Sequence, residues 1–411
     1  MFVSDGVDRP RKAIFAAPNG THCHFPLWSP DMAFIYFVQG TFPDKLDIWR
    51  MPATGGRTER ITGHNSRVTY PVFLDKRTLL YLASDAEGSG PWLYSMDIDR
   101  RISHRLGTGL DRYTSLAASA DGRRLVLTRA TPQRSLWKLR LGDTPAANAQ
   151  AARIPLTTAA GSSPRLGPGY LLYVSGAGAS ESLWKIAGGS STELWTGQGA
   201  RIAGGPAISP DGMRVAFTVR RREGTLLYTI QANGMHPRIV SDSLDLVGDP
   251  AWAPDGQSIT AAVQKNGAPA LYRVPLDGSA PTRLAQEYSV DPAWAPGGDF
   301  AVYSGPDVGT TFPLSALTPG GTAYPLPPLN LTRGARHVVV LSSRELVLLR
   351  GEMEHKDLWL ADLKTGATRQ LSNFPTDFNV RDFDIGPDGR EVVLDLEQER
   401  SDVVSLDLPR R

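Results

Sequence analysis

Between residues 206 and 240 short apolar runs alternate with tight polar turns. Pro206-Ala207-Ile208-Ser209 is a short apolar stretch, and Pro210-Asp211-Gly212 is a turn. Proline presets the first turn angle, aspartate bonds back to the backbone, and glycine accepts a positive φ. Val215-Ala216-Phe217-Thr218-Val219 is β-rich and predicts a buried strand. A charged tip, Arg220 to Gly224, leads to a third strand, Leu226-Leu227-Tyr228-Thr229-Ile230. Asn233-Gly234 signals another hairpin, and Arg238-Ile239-Val240 is a shorter, more polar outer strand. The block therefore predicts four consecutive antiparallel strands.

This block recurs. Its turn anchors fall near Asp31, Asp75, Asp121, Gly167, Asp211, Asp255, Gly297, Arg344 and Asp388, at intervals of 42 to 47 residues. The third strand repeats as Ile48-Trp49, Leu93-Tyr94, Leu136-Trp137, Leu183-Trp184, Leu227-Tyr228, Leu271-Tyr272 and Leu358-Trp359. A four-stranded sheet cannot bury both faces alone, whereas sheets packed radially supply each other's core. The expected fold is an all-β β-propeller of four-stranded antiparallel blades. Nine repeats imply nine blades in a single domain over 1–411. Eight would force two anchors into one blade, for which the spacing leaves no room. The last repeat lacks an outer strand, and residues 7–15 read as an outer strand with no repeat before it. The N-terminus is thus expected to complete the C-terminal blade and close a monomeric ring.

The phrases Trp28-Ser29-Pro30-Asp31, Ser209-Pro210-Asp211-Gly212 and Trp252-Ala253-Pro254-Asp255-Gly256 resemble the TolB-like, WD-type propeller repeat of bacteria. Ile48-Trp49, Gly55-Gly56 and Arg60-Ile61-Thr62 fit the same pattern, as do Leu358-Trp359, Gly366 and Gln370-Leu371-Ser372. The resemblance covers essentially residues 7–408. It also implies a parentage among propellers that follow kinase or winged-helix modules in bacterial regulators. Related repeats serve protein binding, occur in lyases and lie beside peptidase domains, so fold alone does not fix function.

Lysine and arginine total 44 against 42 acidic residues, so nothing suggests bulk attraction to nucleic acid or to an anionic membrane. Cys23 is the only cysteine, which excludes an intrachain disulfide. No apolar run is long enough to insert in a membrane. The N-terminus lacks the basic and apolar regions of a signal peptide, giving a cytoplasmic default or a piece of a longer chain.

Candidate chemistry is sparse. His22, His24 and His64 precede the first two inner strands and are candidate metal ligands, although polar channel residues are the commoner use of such positions. Asp249 and Asp291 stand before proline at equivalent positions, with Asp382 similar. They offer a candidate calcium site at the channel or cap turns. Ser135-Leu136-Trp137-Lys138 and Ser182-Leu183-Trp184-Lys185 match S-x-x-K, but on a strand i and i+3 face opposite sides. Phe25, Tyr70 and Tyr113 are candidate binding aromatics in the funnel. The expected function is non-enzymatic binding of a protein or peptide without a cofactor, as the sensor or interaction domain of a larger regulator. The alternative is a metal-assisted carbohydrate lyase or hydrolase in the funnel.

Overall fold

A computed structural model describes every residue except 5, 19–20, 42–44, 86–89, 108–111, 178–179, 222–223, 265–267, 353–354 and 409–411. The described chain is almost wholly antiparallel sheet. No helix is long and apolar enough to cross a membrane. All nine repeats form sheets, but the chain falls into two compact units. One is Met1–Pro132 with Glu399–Arg411; the other is Gln133–Gln398.

The division runs through two 17-residue strands, Arg124–Arg140 and Glu391–Asp407, which pair with one another. In seven repeats the segment between the second and third strands contains glycine, for example Gly40, Gly176, Gly267 and Gly351. Residues 129–135 and 396–402 contain neither glycine nor asparagine. No hairpin forms there, each strand runs straight on, and the third and ninth repeats exchange their third strands. The ninth repeat is therefore completed by residues 133–140 and by Ala152–Arg153 as its outer strand, not by residues 7–15. Within that N-terminal stretch Lys12–Ala13 pairs with Phe2–Val3. Met1, Val3, Ile14 and Phe15 cover Ile35, Phe37 and Met51 on one face of the first repeat.

The first unit holds repeats one to three. Tyr36 and Val38 of the first pack against Leu79 and Tyr81 of the second, and Leu80 and Leu82 against Leu125 and Leu127 of the third. The second unit holds repeats four to nine. Leu172 and Val174 meet Val215 and Phe217 in the same manner. Side chains of this kind, excluded from water on both faces, each contribute roughly 1.5–3 kcal/mol. The fourth and ninth repeats also share a core, in which Leu136 and Val393 pack on Leu171 and Tyr173.

Candidate functional site

In the second unit the inner strands begin at irregular steps. Register shifts lie between Ser162 and Arg165, Val247 and Ala251, Val290 and Ala293, and Val380 and Asp382. Prolines at 164, 250 and 292 cause three of them, because proline supplies no ladder donor. At the entrances of the fourth, fifth and sixth repeats a backbone N–H left out of the ladder is taken by a carboxylate from another repeat. Gly205 N–H donates to Asp249 Oδ1 at 2.7 Å, and Asp249 N–H donates to Asp291 Oδ1 at 2.8 Å. Leu166 N–H donates to Asp384 Oδ2 at 2.6 Å, and Ser163 N–H to Asp395 Oδ2 at 3.2 Å.

Arg165 sits among these carboxylates with its side chain 8% exposed. Its Nη2 donates to Asp249 at 2.9 Å and its Nη1 to Asp382 at 2.8 Å. Burial opposes its charge, but Asp382, Asp249 and Asp384 outweigh burial and keep it protonated. His337 Nδ1 lies 3.3 Å from Arg165 Nη2, so Nδ1 accepts and the proton resides on Nε2, which is buried and makes no hydrogen bond. Burial, then the Arg165 charge, push the His337 pKa down to about 3, leaving a neutral imidazole. Arg336 donates to Ser304 Oγ at 2.6 Å and lies over the Phe312 ring at 3.5 Å. Burial and the neighbouring Asp249 push Asp291 up to about 6 against the opposing pull of Arg336. Burial likewise raises Asp384 and Asp395 to about 6.

Of the sequence candidates, Asp249, Asp291 and Asp382 are thus drawn into one network. Asp249 and Asp291 accept amides of the preceding repeats, Asp249 and Asp382 meet Arg165, and Asp382 Oδ1 also accepts the N–H of Phe383. Among the described residues no group of three or more histidine, cysteine, aspartate or glutamate side chains is set to hold a metal. His22 and His24 stack at 5.9 Å, whereas His64 Nε2 lies 2.8 Å from Tyr81 Oη and its pKa is lowered by burial. Phe25 and Tyr70 are in ring contact at 4.7 Å, each with φ near +50° directly before proline. Such a backbone costs on the order of 1–3 kcal/mol for a residue other than glycine. Both rings, and Tyr113, are half-buried against the cores of the first unit.

Arg165, Arg336, His337, Asp384 and Asp395 escaped the sequence reading. For Arg165 a signal existed: Pro206, Pro250 and Pro292 are each followed by alanine, and Pro164 is followed by arginine. A separate cleft of about 420 Å³ lies between the fourth and fifth repeats, lined by Pro168, Tyr170, Lys185 and residues 212–214 and 231–233.

Residues 185–318 match the family described as TolB beta propeller domain. Among solved structures the chain is similar to TolB from Acinetobacter baumannii, with 13% identity over 81% of this chain and 79% of that one, at a TM-score of 0.44. It is similar to the tricorn protease, with 12% identity over 93% of this chain and 49% of that one, at a TM-score of 0.40. An oligogalacturonate lyase in complex with manganese shows 14% identity over 84% of this chain and 91% of that one, at a TM-score of 0.34. No curated protein matches the chain. The Ser-Pro-Asp-Gly turns and the four-stranded repeats agree with the matched segment, and the chain contains TolB-like β-propeller repeats.

Proposed function

We propose that the protein is a non-enzymatic binding module for a protein or peptide, the interaction or sensor domain of a larger bacterial regulator. In this reading repeats four to nine form a closed six-bladed ring, and the partner is taken where its inner strands begin. The observation that carries the reading is the network around Arg165. Its carboxylates are engaged by amides and guanidinium groups, which holds the strand entrances rigid. His337 Nδ1 meets Arg165 and His64 Nε2 meets Tyr81, so neither imidazole is set as a base on a serine or cysteine. Asp249, Arg336 and His337 keep between 22 and 24% of their side chains exposed. Beside Tyr288 they offer the mixture of arginine and aromatic surface that anchors protein partners.

The test is to pan a displayed random-peptide library on the purified chain and on Arg336→Ala and His337→Ala variants. Enriched peptides that bind the parent and lose affinity for both variants support the reading. No enrichment, or binders indifferent to both changes, would sink it.

A further inference from the structure

Eight of the nine repeats carry a fourth, outer strand: Glu59–Arg60, Ile102–Arg105, Ser190–Thr196, Arg238–Ser241, Thr282–Arg283, Ala323–Tyr324, Thr368–Gln370 and Ala152–Arg153. Among the described residues the third repeat does not. Its third strand is the C-terminal part of Glu391–Asp407, and among the described residues nothing pairs with residues 400–407 on the side away from 124–132. Leu408 N–H donates to the Arg123 carbonyl. By strand alternation the amides of 403, 405 and 407 therefore face the open side. Val403 is 75% exposed and Leu406 40%.

Two complete repeats show what belongs there. Asp47-Ile48-Trp49 and Asp357-Leu358-Trp359 occupy the third strands of repeats one and eight. In the first, Asp47 accepts Thr62 Oγ1–H at 2.7 Å and pairs with Arg60, while Ile48 N–H donates to Thr62 Oγ1 at 2.9 Å. In the eighth, Asp357 accepts Ser372 Oγ–H at 2.7 Å and Gln370 Nε2–H at 3.3 Å, while Leu358 N–H donates to Ser372 Oγ at 2.9 Å. The outer strand thus presents Arg-x-Thr or Gln-x-Ser to an aspartate and the apolar residue after it. Asp402-Val403-Val404 has the same order. The ion pairs Arg129–Asp402 and Arg124–Asp407, both 2.9 Å, set 128 opposite 403. Residue 128 lies seven after anchor Asp121, as Val38, the partner of Ile48, lies seven after Asp31. Ile48 and Leu358 are fully buried and the Asp47 side chain is 5% exposed, whereas the Asp402 side chain is 67% exposed.

We propose that residues 401–407 are a strand-addition site for an extended segment of another protein bearing Arg-x-Thr or a close equivalent. The segment runs antiparallel and completes the third repeat. Its basic residue pairs with Asp402, its hydroxyl bridges Asp402 and Val403 N–H, and its backbone covers Val403. A second copy is the poorer occupant, because the twofold pairing that overlaps residues 401–407 sets Asp402 against Leu406 and Ser401 against Asp407, which gives Asp402 no basic partner. This inference rests on the binding reading but uses an edge remote in sequence from Arg165 and Arg336.

The test uses a labelled peptide of the sequence of residues 57–64, Arg-Thr-Glu-Arg-Ile-Thr-Gly-His, and the full chain. Fluorescence anisotropy should show saturable binding, and amide exchange at 401–407 should slow with peptide present. Asp402→Asn should weaken binding at least roughly tenfold. Val403→Pro, tolerated on an edge whose N–H faces solvent, should abolish it. Absence of binding up to millimolar peptide, or equal binding to both variants, overturns the proposal. Exchange at 401–407 that slows with protein concentration alone assigns the edge to a second copy and overturns it too. Panned peptides that bind equally to Val403→Pro but not to Arg336→Ala would sink this inference and leave the channel reading standing.

Discussion

The backbone N–H of Asp249 donates to the side chain of Asp291 at 2.8 Å, while the carboxylate of Asp249 accepts the N–H of Gly205 in turn. One aspartate thus holds the strand entrance of the preceding repeat and is held by the next. This relay has a consequence for pH. Asp291, Asp384 and Asp395 have pKa values near 6, with burial the main cause in each, against about 3.9 in an unfolded chain. Between those values the folded state binds more protons than the unfolded state, so stability falls as pH rises through the window. The three carboxylates favour pH 5 over pH 7.5. His337, held down to about 3, opposes them because its unfolded imidazole takes a proton below about 6.5. This leaves a net preference for pH 5 on the order of 2 kcal/mol. Below about pH 4 the trend reverses. Asp211 and Asp388 are held below the usual carboxylate range, by the Ser209 hydroxyl and by the Glu391 N–H respectively, and lose that stabilisation when protonated. Urea midpoints across pH 4 to 8 check the shape. Asp384→Asn keeps an acceptor for Leu166 N–H and should flatten the curve without loss at pH 7.5. A curve that rises steadily from pH 5 to 7.5 would contradict the argument.

Arg165 is the counter-charge at the centre of that network. Removing one member of a buried ion pair leaves uncompensated charge and costs about 3–5 kcal/mol. Arg165→Ala strands Asp249 and Asp382 together and should lower the thermal midpoint sharply. Arg165→Lys should recover little, since one ammonium cannot reach both carboxylates in the fork geometry that Nη1 and Nη2 provide. A lysine variant as stable as the parent would show that charge alone suffices.

Gly212 separates local from tertiary demand on a turn. Its φ is +70°, and a Cβ there would meet Pro168 Cγ at 2.4 Å, while its carbonyl accepts Tyr170 Oη–H at 2.8 Å. Gly169 has a similar φ of +76° with open space around it. Both alanine variants bear the backbone strain, about 1 kcal/mol. Gly212→Ala must also displace the neighbouring repeat and should cost at least about 1 kcal/mol more. Equal denaturation midpoints for the two variants would show that Pro168 yields freely.

The anchors, the four-strand order and the packing aromatics were legible because each is local: a turn needs its proline, aspartate and glycine within four residues. The exchange between Arg124–Arg140 and Glu391–Asp407 was equally written in the chain, as missing glycine between strands. The repeat spacing masks it, because it stays regular at 44 to 46 residues across the third repeat. Asp249 and Asp291 were legible as equivalent positions through the proline that follows each, and Asp382 through its place within an inner strand. Arg165 was not, because its partners lie 84 and 217 residues away and only the folded sheets bring them to one point. His22, His24 and His64 were grouped by sequence position, but the structure sets His64 on Tyr81.

Asp47 and Asp402 hold the same place in their repeats and should respond oppositely to truncation. Asp47 serves Thr62 Oγ1, the N–H groups of His64 at 2.7 Å and Asn65 at 3.1 Å, and Arg60. Asp47→Ala leaves those donors without an acceptor under a nearly closed surface, a loss of about 3 kcal/mol or more. Asp402 meets Arg129 at an exposed edge, where such a pair contributes little, so Asp402→Ala should stay within about 0.5 kcal/mol of the parent. Chemical denaturation of the two variants checks the contrast. A large loss at Asp402 would mean that the edge is already covered in the free protein. A small loss with intact binding of the 57–64 peptide would mean that the aspartate is not what reads the strand.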